Sequence, residues 1–266
     1  MRIAPSSSIV AVLAHPDDLK SVAGVALRAL ESKSSVSLIQ VTKGEGLVSA
    51  ARNTLTPLEM GELRMEELRQ FLGMVDIPAK NLFVIGVSDG SQTLPALRDD
   101  FFKVEGDPFI DPLLKTDRVP YDDVYKPGML FYGEALLATL QELFIALQPG
   151  MILTHHPKDD HADHRAVSFF ACKACRHLVR QRKLDRMPSI YAALVYYRRR
   201  QWPPKGDYFY TDPIKNLFSH LKASQFCLTE QELALKKQAS LIFTPTLSVE
   251  YIQGEMKKDE VLWRLY

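Results

Sequence analysis

Over its first ninety residues the chain alternates short β-branched apolar runs with segments of helical spacing, and this alternation restricts the fold more than any other feature. Ser8 to Ala14 (SIVAVLA) is a continuous apolar run of the kind found in a strand buried on both faces. From Ser21 to Glu31, Val22, Val25, Leu27 and Leu30 fall on roughly one side of a helix. Val36 to Val41 (VSLIQV) reads as strand again. Pro57 suits a first helical turn, and the spacing predicts a helix from Leu58 to Leu72 that Gly73 ends. Asn81 to Val87 is a third strand, closed by the turn Ser88-Asp89-Gly90. Such alternation with short links predicts an α/β fold, a mostly parallel sheet with helices on both faces.

Residues 91–133 break the rhythm. They hold five prolines (95, 108, 112, 120 and 127) and no clean period, which predicts a long surface insertion. The alternation then resumes with an amphipathic helix at Glu134 to Leu147, a strand at Met151 to Thr154, a helix from about Asp163 to Arg182 and a strand at Ile190 to Tyr197. The C-terminal part, from about 200 to 266, is expected to be irregular apart from a helix at Thr229 to Ala239. A length of 266 residues fits one domain spanning 1–266.

Composition narrows the function classes. With 46% hydrophobic and 24% charged residues the chain is neither disordered nor fibrous. Its most apolar stretch, Ala135 to Leu147, is short of the roughly 20 residues that span a bilayer and carries Gln141 and Glu142. The N-terminus has no signal-peptide layout, and three cysteines (Cys172, Cys175, Cys227) do not make a disulfide framework, so a cytoplasmic setting is expected. A net charge of +1 gives no reason to expect nucleic acid as a partner.

The histidines carry the chemistry. Four of the seven (His155, His156, His161 and His164) follow one strand, and His15 ends another in Ala14-His15-Pro16-Asp17-Asp18. Parallel sheets bind ligands at the carboxyl ends of their strands, so neighbouring strands would bring the two clusters together. One imidazole from each cluster plus Asp18 makes a two-histidine, one-carboxylate set that suits zinc and leaves a position open. Asp17 is placed to take a proton from the water such an ion activates. The remaining histidine, beside Asp163, is placed to protonate a leaving amine or hold an oxyanion. The spacing leaves open which of His161 and His164 holds the metal.

These residues resemble a known family. Ala14-His15-Pro16-Asp17-Asp18 after the first strand, Thr42-Lys43-Gly44-Glu45 after the second, Glu62-Leu63-Arg64 with Glu67 and Leu72-Gly73 in the next helix, Asp89-Gly90, and His161-Ala162-Asp163-His164 together resemble the LmbE/PIG-L family of zinc-dependent N-acetyl deacetylases. The likeness covers a core of about residues 8–197. It implies a Rossmann-like sheet, one zinc ion per chain and hydrolysis of an N-acetyl group from an N-acetylglucosamine-type sugar or its conjugate. By position, the resemblance makes His15, Asp18 and His164 the metal ligands, and Asp17 the general base. It makes His161, held by Asp163, the partner of the tetrahedral intermediate or the acid for the amine, and Arg64 a substrate contact. The sequence departs from the family after Asp18, where Leu19 and Lys20 replace a usual glutamate and its neighbour.

Other features have quieter readings. Cys172-Lys173-Ala174-Cys175 lies inside a helix with no second cysteine pair, which suits packing better than redox or metal work. Nine Lys or Arg against one acid, Asp185, fall between Arg176 and Lys205, either as a solvated face or as an electropositive rim for a phosphate-bearing amino-sugar conjugate. Self-association is compatible with the chain, and other divalent ions suit the same N/O donors. Two rival functions are a metal-dependent hydrolase of another amide or a phosphoester, and a non-catalytic sugar-binding protein that keeps the metal as structure. An intact Asp17 beside the ligand pair argues against the second.

Overall fold

The computed structural model describes residues 6–47, 55–90, 92–101, 106–198, 202–211, 214 and 217–266. Its centre is a seven-stranded sheet built from β1 (Ser8–Leu13), β2 (Ser35–Gln40), β3 (Leu82–Val84), β4 (Met151–His155), β5 (Ser189–Ala193), β6 (Lys222–Cys227) and β7 (Asp259–Arg264). The strand order is β3-β2-β1-β4-β5-β7-β6. The first five strands run parallel, and β7 lies antiparallel between β5 and β6. Among the described residues the sheet is accompanied by α1 (Ala23–Glu31), α2 (Pro57–Met74), α3 (Thr93–Asp99), α4 (Gly133–Leu147), α5 (Ala162–Arg180), α6 (Glu230–Ser240) and α7 (Val249–Gly254).

Side-chain alternation along β1 creates the layers. Val10 and Val12 join a core with Leu140 and Phe144 of α4 and Phe170 of α5, while Ile9, Ala11 and Leu13 join a second core with Val25 of α1 and Leu68 and Phe71 of α2. A strand buried on both faces has to be apolar throughout, as SIVAVL is. From β1 the chain builds outward through β2 and β3 on one side, then returns to place β4 on the other. The strand order therefore reverses between β1 and β4, opening a crevice at their carboxyl ends.

The departures from expectation have local causes. The helix expected from Ser21 begins at Ala23, because Pro16–Ser21 first forms a 3-10 helix. Gly73 does not end α2; an added Cβ there would meet nothing within 4 Å, and the chain turns only past Val75, where Asp76 adopts a left-handed φ of 57°. The strand expected to reach Tyr197 stops at Ala193, since the Val195 and Tyr196 N–H groups turn to the Asp159 carboxylate at 2.7 and 3.0 Å. The described part of the 91–133 insertion holds α3 and sinks Val119, Tyr121, Met129 and Phe131 into the core beside α4.

The C-terminal part is more regular than expected. Its predicted helix is present as α6, capped by a reciprocal Thr229–Glu232 box. Two strands, β6 and β7, then extend the sheet. β7 is hidden in the sequence because it opens with acids at buried positions. Asp259 accepts from the N–H groups of Phe209 and Tyr210 and from Gln225 Nε2. Glu260 accepts from Gly24 N at 2.8 Å and Val25 N at 3.1 Å, capping α1, which lacks a side-chain cap of its own, and takes Lys236 Nζ at 2.7 Å.

Glu260→Ala removes that cap and strands the buried Lys236 ammonium, with an expected loss of about 3–5 kcal/mol in urea unfolding. The double variant Glu260→Gln with Lys236→Met should lose less than the sum of the two single variants.

A candidate metal centre at the carboxyl ends of β1 and β4

Two loops meet at the crevice. After β1, Pro16 starts the 3-10 turn and the Asp18 carboxylate folds back to accept from His15 N at 2.7 Å, which fixes both side chains in place. After β4, the chain turns through Asp159 into α5, whose first turns carry His161, Asp163 and His164. Donor atoms of three residues converge: His15 Nδ1 lies 3.1 Å from His164 Nε2 and 3.2 Å from Asp18 Oδ2, and His164 Nε2 lies 3.4 Å from the other Asp18 oxygen, Oδ1. All three side chains are buried. Ligands about 2.0–2.1 Å from a tetrahedral zinc stand roughly 3.3 Å apart, so the spacing of these residues suits such an ion.

The outer ring nitrogens are braced in the sense a metal site needs. His164 Nδ1 stands 3.2 Å from Asp159 Oδ1, which turns its Nε2 lone pair inward. Asp159 is itself held by the N–H groups of His161, Val195 and Tyr196. His15 Nε2 lies 3.5 Å from both Asp89 Oδ1 and Asp163 Oδ2, leaving Nδ1 to the cluster. His155 is stacked on His164 with ring centroids 3.9 Å apart, and its Nε2, which accepts the Ala14 N–H at 2.9 Å, lies 3.3 Å from Asp18 Oδ2. His156 packs on Phe218 and is pushed down to about 3 by burial. Burial alone would also lower His164; the Asp18 and Asp159 carboxylates instead lift it to about 9.

A cavity of about 180 Å³ opens onto this group, with Asp17, Arg64, His161, Tyr196 and Leu247 among its walls. Asp17 is gripped by two cations: Arg64 Nη2 on Oδ1 and Lys20 Nζ on Oδ2 at 2.6 Å. Burial would raise its carboxyl, but those two cations hold it below the usual range. Arg64 also donates to the Gly44 carbonyl at 3.0 Å, and Gly44 sits at φ +82° where a Cβ would collide with the guanidinium. The position expected to contact substrate thus lines the cavity while anchoring Asp17. Burial, then the His15 and His164 rings, push His161 down to about 3, so it is neutral at pH 7. Asp163 Oδ2 lies 3.9 Å from His161 Nδ1, farther than from His15, so it braces His15 at least as closely as its expected partner.

Leu19 and Lys20 take different places. Leu19 enters the α1/α2 core, while Lys20 is wholly buried between Asp17 and Glu255, whose Oε2 lies at 3.1 Å. Glu255, Leu247 and Tyr251, whose hydroxyl bonds Tyr196 at 2.7 Å, all come from the C-terminal part and carry no local motif. Asp89 falls in the Asp89-Gly90 motif and Asp159 in the loop after β4, and only the folded chain reveals their bracing role. Cys172 and Cys175 lie on α5 as free thiols, with Cys172 raised to about 11 by burial, which suits packing. No described Lys or Arg of the basic run lines this cavity, and Arg199 and Arg200 lie outside the described residues.

The family model described as "PIG-L: GlcNAc-PI de-N-acetylase" matches residues 10–175. No curated protein sequence matches the chain. Similar solved structures include N,N'-diacetylchitobiose deacetylase from Pyrococcus horikoshii, complexed with its inhibitor MPG, at 14% identity, 93% of this chain, 73% of that chain and a TM-score of 0.57. The zinc-inhibited form of a teicoplanin deacetylase matches at 13% identity, 96% and 97% coverage and a TM-score of 0.56. The 4-carboxy-2-hydroxymuconate hydratase of Pseudomonas putida KT2440 matches at 14% identity, 98% and 96% coverage and a TM-score of 0.55. At such identities the likeness is one of fold.

One buried carboxyl beside the cavity gives the fold a pH dependence. Glu45 accepts from Tyr121 and from Asp89 N, and burial followed by the Asp89 charge raises it from 4.5 to about 7. The folded chain therefore keeps a proton that the unfolded chain releases. This stabilisation is complete below about pH 4.5 and is lost as pH rises through 7. Glu45→Gln should unfold later than the parent at pH 8, by on the order of 3 kcal/mol, with the difference vanishing at pH 4.

Proposed function

The chain belongs to the PIG-L family, and from that premise we propose that it is a metal-dependent hydrolase removing the N-acetyl group from an N-acetylglucosamine-type sugar or sugar conjugate. The observation that carries this reading is the triangle of His15, Asp18 and His164 donor atoms at the base of a cavity walled by Asp17 and His161. We assign the metal to those three residues and take zinc as the ion, one per chain. Such an ion supplies Lewis acidity, polarising an acetyl carbonyl and making water acidic near neutral pH.

The protein's own groups do the rest. Asp17 accepts a proton at its carboxylate, kept ionised by Lys20 and Arg64. Those cations also lower its basicity, so the proton it takes must come from an already acidified donor. Neutral His161 donates an N–H to the oxygen on which charge develops, with Asp163 and Asp89 ordering the rings behind it. Tyr196 and Leu247 offer an aromatic and an aliphatic surface to a sugar ring. The small-molecule substrate and the free thiols suit a cytoplasmic reaction. Among the described residues no helix is long and apolar enough to cross a membrane.

Metal analysis and acetate release on one purified sample test this reading, with zinc supplied at one equivalent and in excess. About one ion per chain and acetate from at least one N-acetylated sugar are expected. Metal that binds without any acetate being released from a panel of sugars and conjugates would sink the deacetylase assignment. His15→Ala, Asp18→Ala and His164→Ala should lose the ion. Asp17→Asn should retain it and lose turnover about 10²–10⁴-fold. Acidic neighbours lift both His15 and His164 above the ordinary imidazole value, so the ion has to displace a proton from each, and apparent affinity should rise with pH above 7, by up to about a hundredfold per unit, with proton release seen by calorimetry in buffers of different ionisation enthalpy.

A further inference from the structure

A 3-10 turn brings residues three apart into line, so within Pro16–Ser21 Lys20 stands over Asp17. Its ammonium donates to Asp17 Oδ2 at 2.6 Å and to the Asp17 carbonyl at 3.2 Å. The same Nζ lies 3.1 Å from Glu255 Oε2 and 4.9 Å from the centroid of the Tyr251 ring. Asp17, Lys20 and Glu255 are all buried.

Glu255 reaches this place because it follows the last turn of α7. Tyr251 N donates to the capping Ser248 Oγ at 3.2 Å, Ile252 enters the α1/α2 core, and the Tyr251 hydroxyl bonds Tyr196 at 2.7 Å. Just before the helix, Thr246 donates to Glu67 of α2 at 2.6 Å and Leu247 lines the cavity. The carboxylate that meets Lys20 is therefore carried by a segment fixed to α2, to the core and to the cavity wall.

Two cations reach Asp17, and each has an anchor of its own. Arg64 contacts Oδ1 through Nη2 while its Nη1 donates to the Gly44 carbonyl at 3.0 Å. Lys20 contacts Oδ2 while Glu255 pairs with the same ammonium. An ionised carboxylate has about four acceptor sites, so each Asp17 oxygen keeps room for a proton. The places of the two cations decide where those remaining sites point. A lysine ammonium sits on a flexible stem, so its place depends on what surrounds it.

We infer that Glu255 is a positioning residue for turnover: through Lys20 it fixes the orientation of the Asp17 carboxylate, a role that rests on Asp17 being the proton acceptor proposed above.

Acetate release by Glu255→Gln, Lys20→Met and the double variant tests this, together with crystal structures of the parent and Glu255→Gln. Glu255→Gln should lower kcat about 10–10²-fold, the scale set by displacing a reacting group by about 1 Å, with KM and bound metal at parent values. Added to Lys20→Met, the same substitution should lower kcat no further, because its effect passes through Lys20. In the Glu255→Gln crystal, the Asp17 carboxylate should leave the place it holds between Lys20 and Arg64. Glu255→Asp, which keeps the charge and withdraws it by one methylene, takes the place of Glu255→Gln if that variant does not fold, with the same pattern expected. Unchanged kcat, a loss that persists in full in the Lys20→Met background, or loss of bound metal in step with kcat would each overturn the role. A parent that releases no acetate would instead sink the deacetylase reading; the crystal pair then decides the positioning, and an unmoved Asp17 carboxylate overturns it.

Discussion

Parallel pairing of β1 with β4 is the constraint from which the site follows. The register Ile9–Met151, Val10–Ile152, Ala11–Leu153 aligns the two strands so that both end at the same edge. Side chains 149 residues apart in sequence then meet within hydrogen-bond distance, His15 against His164. The pairing holds because both strands are apolar on both faces and helices cover each side. Slipping it by one residue would exchange the faces of every side chain and separate the donors.

Around that edge the protein buries several lysines, and Lys20, Lys43 and Lys236 are each compensated locally. Lys20 lies between Asp17 and Glu255, Lys236 meets Glu260, and Lys43 is taken by Glu62 at 2.5 Å and Asp123 at 2.6 Å. The Lys43–Glu62 pair, together with Arg64 on the Gly44 carbonyl, clamps α2 over the loop after β2. Isolated, any of these ions would be costly in the interior; paired, they set the position of neighbouring backbone. Electrostatics here acts chiefly to hold loops in register with the strands that lead into the His15–Asp18–His164 cluster.

The replacement of the family's residues after Asp18 is absorbed by the C-terminal part. Lys20 reaches Asp17 on one side and Glu255 on the other, so the segment around α7 is tied directly to the carboxylate assigned as base. Tyr251 continues the link through Tyr196 to the cavity wall, and Thr246 donates to Glu67 of α2 at 2.6 Å. The segment is thus part of the cavity's construction. The fold itself also carries a hydratase among its similar structures, so the reaction has to be read from the side chains at the crevice.

How much was legible follows from the range of the interactions. The strands and helices of the core announce themselves by periodicity, because burying a face imposes period 2 or 3.6 on neighbouring residues. The residues proposed as metal ligands were legible as a set because they sit in two short motifs at strand ends. Resemblance, rather than spacing, separated His164 from His161. Strand β7 was hidden because Asp259 and Glu260 look like surface acids until partners from residues 24–25, 209–210, 225 and 236 satisfy them. The basic run likewise showed its sign but not its place; α5 turns Arg176 and Arg180 to a separate groove. By itself the sequence determined the alternating α/β core and the donor set, since local pattern encodes burial and residue type encodes chemistry. Tertiary structure alone decided which nitrogen faces the cluster, what grips Asp17 and where the C-terminal strands insert, because those depend on contacts between residues far apart in the chain.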